Sequence, residues 1–363
     1  MTADVLVTGA TGLIGRWLVP ALTRRGRSVA VLMRGGETPG GAKRGVQDRA
    51  AEMRAWVLAH GGDPAALSFV TGDVERDALG EQLGELTGVR DVFHLAARFQ
   101  FGLSEDEARR ANVDGSLRVL RWAGTLPHLR RFVMVGGYRT AARAWRPVAA
   151  RGWPLGERDR AALYAAHGAY EASKLESDLA VHVIAGQLGV PLTTVHPASV
   201  IGDSRTGESL PQPGLTDAAR DLSRGRMAGV VSDRDIVAPV VAVDYLAEFL
   251  AAVPEHEEAA GRDYLLMHPD SPPFAGLVEL LAGLLDVRAP RVRLPLRVVR
   301  WLPARLTGVD REALAFLSPE NYDGSAADDF AASIGLEQPD LTANLARWTE
   351  HLVATDFGAR RER

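Results

Sequence analysis

The sequence predicts an α/β fold, a doubly wound parallel sheet followed by a smaller mixed C-terminal region. Three observations lead there. Short β-branched runs alternate with helical stretches through the first half of the chain. Those runs are almost continuously apolar, as strands covered on both faces are. A glycine-rich turn stands between the first run and the first helix. After about residue 200 the alternation breaks, which marks the second region.

The elements follow in order. Asp4–Thr8 reads as a buried strand and Gly12–Arg25 as the helix after it. Ser28–Met33 is a second strand, Gln47–His60 a helix within a longer insertion, and Leu67–Thr71 and Asp91–Leu95 are strands three and four. Ser104–Thr125 has helical periodicity, Arg131–Val135 is strand five, Ala161–Leu188 one long helix, and Pro191–His196 strand six. Residues 203–217, rich in Gly, Pro and Ser, read as a loop. Beyond them, Ile236–Val241 and Arg262–Met267 read as strands, and Tyr245–Ala252 and Phe274–Leu285 as helices.

Composition narrows the function. The 363 residues suit two domains at roughly 150 residues each. With 46% hydrophobic and 24% charged residues the chain is not a mainly disordered one. No apolar run reaches the roughly 20 residues that span a bilayer. Residues 1–7 do not start a signal peptide, so no integral membrane association and a cytoplasmic location are expected. Cysteine is absent, which excludes disulfides, thiol nucleophiles and Cys-based zinc sites. The histidines lack HxxxH or HExxH spacing, so no metal site is expected. A net charge of −4 gives no sign of a nucleic-acid partner. Of 42 basic residues only Lys43 and Lys174 are lysines. Lysine is the cation whose pKa is readily tuned, so both draw attention.

The turn runs Thr8-Gly9-Ala10-Thr11-Gly12-Leu13-Ile14-Gly15. Three glycines at this spacing arise by chance about 0.4 times in a chain this rich in glycine. Their place, directly after a strand and opening a helix, gives them meaning. Glycine lets backbone approach a pyrophosphate, and the helix N-terminus supplies N–H groups and partial positive charge. The turn therefore predicts a Rossmann-type dinucleotide site. Residues 1–202 and about 236–262 would form that domain, and about 203–235 and 263–363 a substrate-binding cap. NAD sites place an acid at the end of strand two, whereas this chain places Arg34 there. A guanidinium suits a 2′-phosphate, and Arg16 could assist, so NADP(H) is expected in preference to NAD(H).

Tyr170 and Lys174 stand four apart within a predicted helix, one turn from each other on one face. A nearby ammonium lowers a phenol's pKa, and such a phenol can exchange a proton with a carbonyl oxygen as hydride moves. Chance would place such a pair about 0.03 times in this chain.

With these residues the chain resembles an extended short-chain dehydrogenase/reductase, nearest to thioester-reductase and ketoreductase members. Thr8–Gly15 resembles the TGxxGxxG turn, and Gly72-Asp73-Val74 the segment whose acid contacts the adenine. His94-Leu95-Ala96-Ala97 resembles the segment lining the cofactor ribose. Asn112 matches the asparagine that supports the active-site lysine through water, and Tyr170 and Lys174 match YxxxK. His196-Pro197-Ala198-Ser199-Val200 resembles the segment that meets the nicotinamide, with His196 replacing the usual Arg. The resemblance implies that Tyr170 is the acid/base, that Lys174 holds the ribose, and that a ketone, aldehyde or thioester is reduced, or the reverse, in secondary metabolism. It implies a small-molecule or carrier-bound substrate, and a homodimer built through helices 104–125 and 161–188.

One departure matters. The family carries Ser or Thr after strand five to hold the substrate oxygen, and this chain reads Gly136-Gly137-Tyr138. Losing such a donor can cost about 2.7–4 kcal/mol of transition-state stabilisation. Three readings are open. Tyr138 or Thr140 replaces the donor; a substrate hydroxyl fills the gap; or the protein binds dinucleotide and performs non-redox chemistry (cyclisation, dehydration, epimerisation) or none. Arg98 and Phe99, after strand four, line a substrate pocket or form a packed turn. His167, three residues before Tyr170, acts on substrate or is structural. Six arginines within 288–305 form a solvated cap surface, or meet a membrane or a carrier phosphate.

Overall fold

A computed structural model describes residues 3–35, 45–77, 79–100, 102–141, 150, 152–211, 214–301, 317, 319–320 and 322–358. Lys43 and Arg305 lie outside the described residues. The chain divides into two compact units. The first comprises Met1–Thr140, Pro147–His196 and Leu246–Tyr264. The second comprises Ala141–Arg146, Pro197–Tyr245 and Leu265–Arg363.

The first unit is built on a sheet of β1 (Val5–Thr8), β2 (Val29–Met33), β3 (Leu67–Thr71), β4 (Asp91–His94), β5 (Arg131–Val135) and β6 (Leu192–Pro197), with β10 (Asp263–Leu266) at one edge; Pro197 and the last two residues of β10 are counted with the second unit. The order is β10-β6-β5-β4-β1-β2-β3. Pairings from β3 through β6 are parallel. Every residue of β1, β2, β4 and β5 is buried, which explains why they are apolar except at the strand ends Thr8, Asp91, His94 and Arg131. Strand order reverses between β1 and β4, where Thr8 and His94 lie in register. In such sheets ligands bind outside the carboxyl ends at this switch. Helices α1 (Leu13–Arg24) and α2 (Val46–Ala59) precede β2 and β3. One core cluster packs Val113, Leu117 and Leu120 from the helical segment before β5 with Ala180, Val181 and the sheet residues Leu6, Val92, Phe132 and Met134.

Two helices differ from expectation. Ser104–Thr125 is α3 (Glu105–Ala108), a π-helical segment Arg109–Asp114, and α4 (Gly115–Ala123). The expected long helix is two, α5 (Glu157–His167) and α6 (Ala169–Leu188). Gly168, at φ +76°, ends one and starts the other, a conformation open to glycine and strained for other residues.

The second unit has its own core, with Ile201, Leu222, Val240, Leu277, Leu281, Leu345 and Trp348 buried together. Ile236–Val241 is not a strand throughout. β9 is Val240–Ala242, which pairs with β7 (Ser199–Ile201), and Val237 makes only an isolated bridge to Pro273. Residues 203–217 give way to a helix from Leu215. The arginine-rich stretch contains a strand, β11 (Val292–Leu294), paired with β8 (Gly229–Val231). Its described arginines, Arg288, Arg291, Arg293, Arg297 and Arg300, are exposed. No described helix is long and apolar enough to cross a membrane.

Candidate active site

The glycine turn is held by its own packing. Gly9 adopts φ +74°, and a Cβ there would lie 2.6 Å from Ala96 N and 2.7 Å from Leu95 C. A Cβ on Gly15 would lie 2.5 Å from Ala10 Cα and from Gly9 O. Gly12 is different. Its Cβ would meet only Gly9 O, at 3.3 Å. Gly12 is the N-cap of the 12-residue α1, ahead of that helix's unpaired N–H groups. Two glycines thus fix the turn, and the third leaves its outer side bare at a helix N-terminus. These residues fit a dinucleotide's pyrophosphate. Thr11 is exposed, and Leu13 and Ile14 are half-buried.

Below the turn, Thr8 Oγ1 bonds His94 Nδ1 at 2.8 Å, and His94 Nε2 bonds Ser116 Oγ at 2.9 Å. Burial, aided by the charge of Lys174, pushes the His94 pKa down to about 3, so the ring is neutral at pH 7. Ala96 N donates to Thr8 Oγ1 at 3.3 Å, which ties the segment Leu95-Ala96-Ala97 to β1. Asp73 Oδ1 accepts from Glu75 N. Val74 packs against the core. Arg34 is 55% exposed and lies 3.9 Å from Glu75 Oε1, whose nearer partner is Arg98 at 3.0 Å. Arg16 lies over the Trp56 ring, 5.0 Å from its centroid.

Tyr170 lies in the first turn of α6. Its ring is 4.8 Å from that of Phe99, which places strand four's turn beside it. Lys174 Nζ donates to Val135 O at 3.2 Å. Arg139 Nε donates to Glu171 Oε1 at 3.1 Å. These two bonds bracket Gly136 and Gly137 against the helix turn that carries Tyr170. The phenol's pKa is pushed up by burial and then by Glu171's charge, against the expected depression by Lys174. The ammonium is directed at Val135 O, and burial lowers its own pKa, while Asp178 and Glu171 raise it.

Asn112 is 1% exposed. Its Oδ1 accepts from Arg98 N at 2.8 Å, and its Nδ2 donates to Ser173 Oγ at 2.9 Å. Ser173 Oγ in turn donates to Tyr170 O at 2.7 Å. The asparagine's direct contacts therefore join the turn after β4 to the first turn of α6. The π-helical segment presents it, a frequent use of such bulges. Of the two candidates for a replacement donor, Thr140 is engaged within the turn. The Thr140 hydroxyl donates to Gly137 O at 2.7 Å and lies 2.5 Å from His196 Nδ1; Tyr138 is buried. His167 is half-buried at the end of α5, its pKa lowered by burial and by Arg139. His196 is buried in the first unit. Pro197, Ala198 and Val200 belong to the second unit, where Ala198 N donates to Leu266 O and Val200 pairs with Val241.

A family model described as male sterility protein, of the NAD-binding group, matches residues 7–250. The chain belongs to this family. It is an extended short-chain dehydrogenase/reductase, and its curated relatives are reductases or oxidoreductases. It is 28% identical over 300 residues to tetraketide alpha-pyrone reductase 1 of Arabidopsis thaliana, covering 81% of this chain and 83% of that one. It is 27% identical over 217 residues to NRPS-like oxidoreductase fscA of Fusarium equiseti, covering 57% of this chain and 19% of that much longer protein. The fold matches the terminal R domain of the myxalamid PKS-NRPS pathway, with TM-score 0.73, 22% identity and coverage of 99% and 92%.

The sequence alone missed the Asn112–Ser173 link and the His94 hub. It also missed a line of polar residues on α6, although Tyr170, Lys174, Asp178 and His182 recur every four residues.

Proposed function

We propose that this extended short-chain dehydrogenase/reductase reduces a carbonyl group with NADPH. The carrying observation is the placement of the Tyr170 phenol, in the helix turn that Lys174 and Arg139 clamp to the end of β5. A phenol held in its acid form is a proton donor, as reduction requires. The nicotinamide, when bound, supplies the hydride. Tyr170 Oη gives its proton to the carbonyl oxygen. Lys174 offers the N–H groups that Val135 O does not take to the ribose hydroxyls. Gly9, Gly12 and Gly15 seat the pyrophosphate, and Arg34, exposed and loosely paired, meets the 2′-phosphate. Phe99 borders the substrate beside Tyr170. The relatives support a ketone, aldehyde or carrier-bound thioester of secondary metabolism as the substrate class.

A second reading, non-redox chemistry on bound dinucleotide, rests on one observation. The hydroxyl expected near the carbonyl is missing at Gly136 and Gly137, and Thr140's is engaged internally. NADPH oxidation with an aldehyde, a ketone and an N-acetylcysteamine thioester separates the two. Turnover that Tyr170→Phe abolishes, with NADPH affinity preserved, supports reduction. NADPH binding without turnover of any probe refutes it.

A further inference from the structure

Two departures from the family pattern, glycine at 136 and histidine at 196, meet in space. A Cβ on Gly136 would lie 2.4 Å from His196 Nδ1 and 2.9 Å from its Cε1. A Cβ on Gly137 would meet nothing within 4 Å. His196 is 3% exposed, so its ring has little freedom to move aside. Its Nδ1 is 2.5 Å from Thr140 Oγ1, and its Nε2 faces Asp178 Oδ1 at 3.9 Å. That carboxylate oxygen is buried and has no direct hydrogen bond among the described residues. A gap of this length between polar atoms suits a bridging water.

The turn Gly136–Thr140 is thereby held from three directions. His196 packs on Gly136 and anchors Thr140. Lys174 Nζ holds Val135 O on one flank. Arg139 holds Glu171, next to Tyr170, on the other. A side chain at 136 displaces the imidazole, releases Thr140 and shifts the strand end to which Lys174 donates.

We propose that His196 is a positioning residue matched to Gly136: its imidazole takes the volume of the side chain that position 136 lacks and sets the β5 turn against Tyr170 and Lys174. This rests on the reductase reading above. It leaves position 137 as the one of this glycine pair from which a side chain can enter open space.

The test compares wild type with Gly136→Ser, His196→Ala, the Gly136→Ser/His196→Ala double variant and His196→Asn. Reduction kinetics with the three carbonyl probes, NADPH affinity and melting temperature are measured for each. Gly136→Ser should lower kcat at least tenfold and lower the melting temperature, with NADPH affinity within threefold of wild type. Adding His196→Ala should recover activity and melting temperature, since it removes the collision. His196→Asn, which keeps a donor toward Thr140, should retain more kcat than His196→Ala. A Gly136→Ser protein equal to wild type overturns the proposal. Penalties that simply add in the double variant overturn it too, because matched neighbours do not behave independently. If wild type binds NADPH and reduces no probe, the reductase reading fails on its own. The melting-temperature cycle then still decides the match, with additivity again refuting it.

Discussion

Gly12→Ala and Gly15→Ala form a matched pair of perturbations, one aimed at the ligand and one at the fold. At Gly15 the new methyl would lie 2.5 Å from two backbone atoms, Ala10 Cα and Gly9 O. Backbone cannot rotate aside as a side chain can, and overpacking of this kind costs about 1–3 kcal/mol. At Gly12 the methyl meets one atom at 3.3 Å, and the backbone at φ −76° and ψ 175° is open to alanine. Alanine is a poorer N-cap than glycine but restricts the unfolded chain, so the net change should stay within about 1 kcal/mol. The Gly12 methyl would stand where the pyrophosphate approaches the helix N-terminus. We expect Gly12→Ala to melt near wild type and to bind NADPH at least about tenfold more weakly, roughly 1.4 kcal/mol. Gly15→Ala should melt well below wild type. Thermal unfolding without nucleotide and a tryptophan-fluorescence titration measure both; seven tryptophans report. NADPH affinity of Gly12→Ala within twofold of wild type would refute the placement of the pyrophosphate at this turn.

Arg34→Ala should weaken NADPH about tenfold while leaving NADH within twofold, because only the 2′-phosphate is lost; equal effects on both would remove Arg34 from cofactor choice. Asn112→Ala leaves the Arg98 N–H without its acceptor, removes the bond that Ser173 Oγ accepts, and should cost about 1–3 kcal/mol by denaturant unfolding. For His182, burial works against protonation, but the Asp263 hydrogen bond and the charges of Asp178 and Asp263 raise its pKa to about 9. A folded-state pKa above the unfolded value of 6.5 stabilises the protein fully below about pH 6.5, and the stabilisation is lost as pH rises through 9. The melting-temperature gap between wild type and His182→Gln should therefore shrink from pH 6.5 to pH 10, and a gap that widens would refute the assignment.

The parallel sheet and the two motifs were legible because each depends on local pattern. Val5–Thr8 and Arg131–Val135 are buried throughout, so their sequences are apolar except for Thr8 and Arg131 at their ends. The glycine turn and the Tyr170–Lys174 spacing lie within a few residues of chain. Tertiary choices were not legible. Gly168 sits in an otherwise helical pattern, where one glycine costs only about 1 kcal/mol, so nothing local marks the break. The pull on the phenol depends on where Lys174 points, and its partner, Val135 O, lies 39 residues away. Strand β11 is short and largely exposed, so its arginine-rich sequence carries no buried-strand pattern.

The same distinction separates the glycines that the site uses. Gly9, Gly15 and Gly136 each have protein atoms within 3 Å of where a Cβ would stand, so the chain's own packing explains them. Gly12 and Gly137 do not. A Cβ at Gly137 would meet nothing within 4 Å and one at Gly12 only Gly9 O at 3.3 Å, and both lie at the end of the sheet where the glycine turn and Tyr170 are found. A family hydroxyl at 137 would have space, so its absence is not a steric necessity of this fold. For the proposed reduction we expect a substrate that uses that space, either with a bulkier group beside its carbonyl or with a hydroxyl of its own in the second hydrogen bond to the oxygen. Gly137→Ser decides between a used and an unused gap. Slower reduction of the natural substrate, with Tm unchanged, marks the space as used; faster reduction refutes this argument.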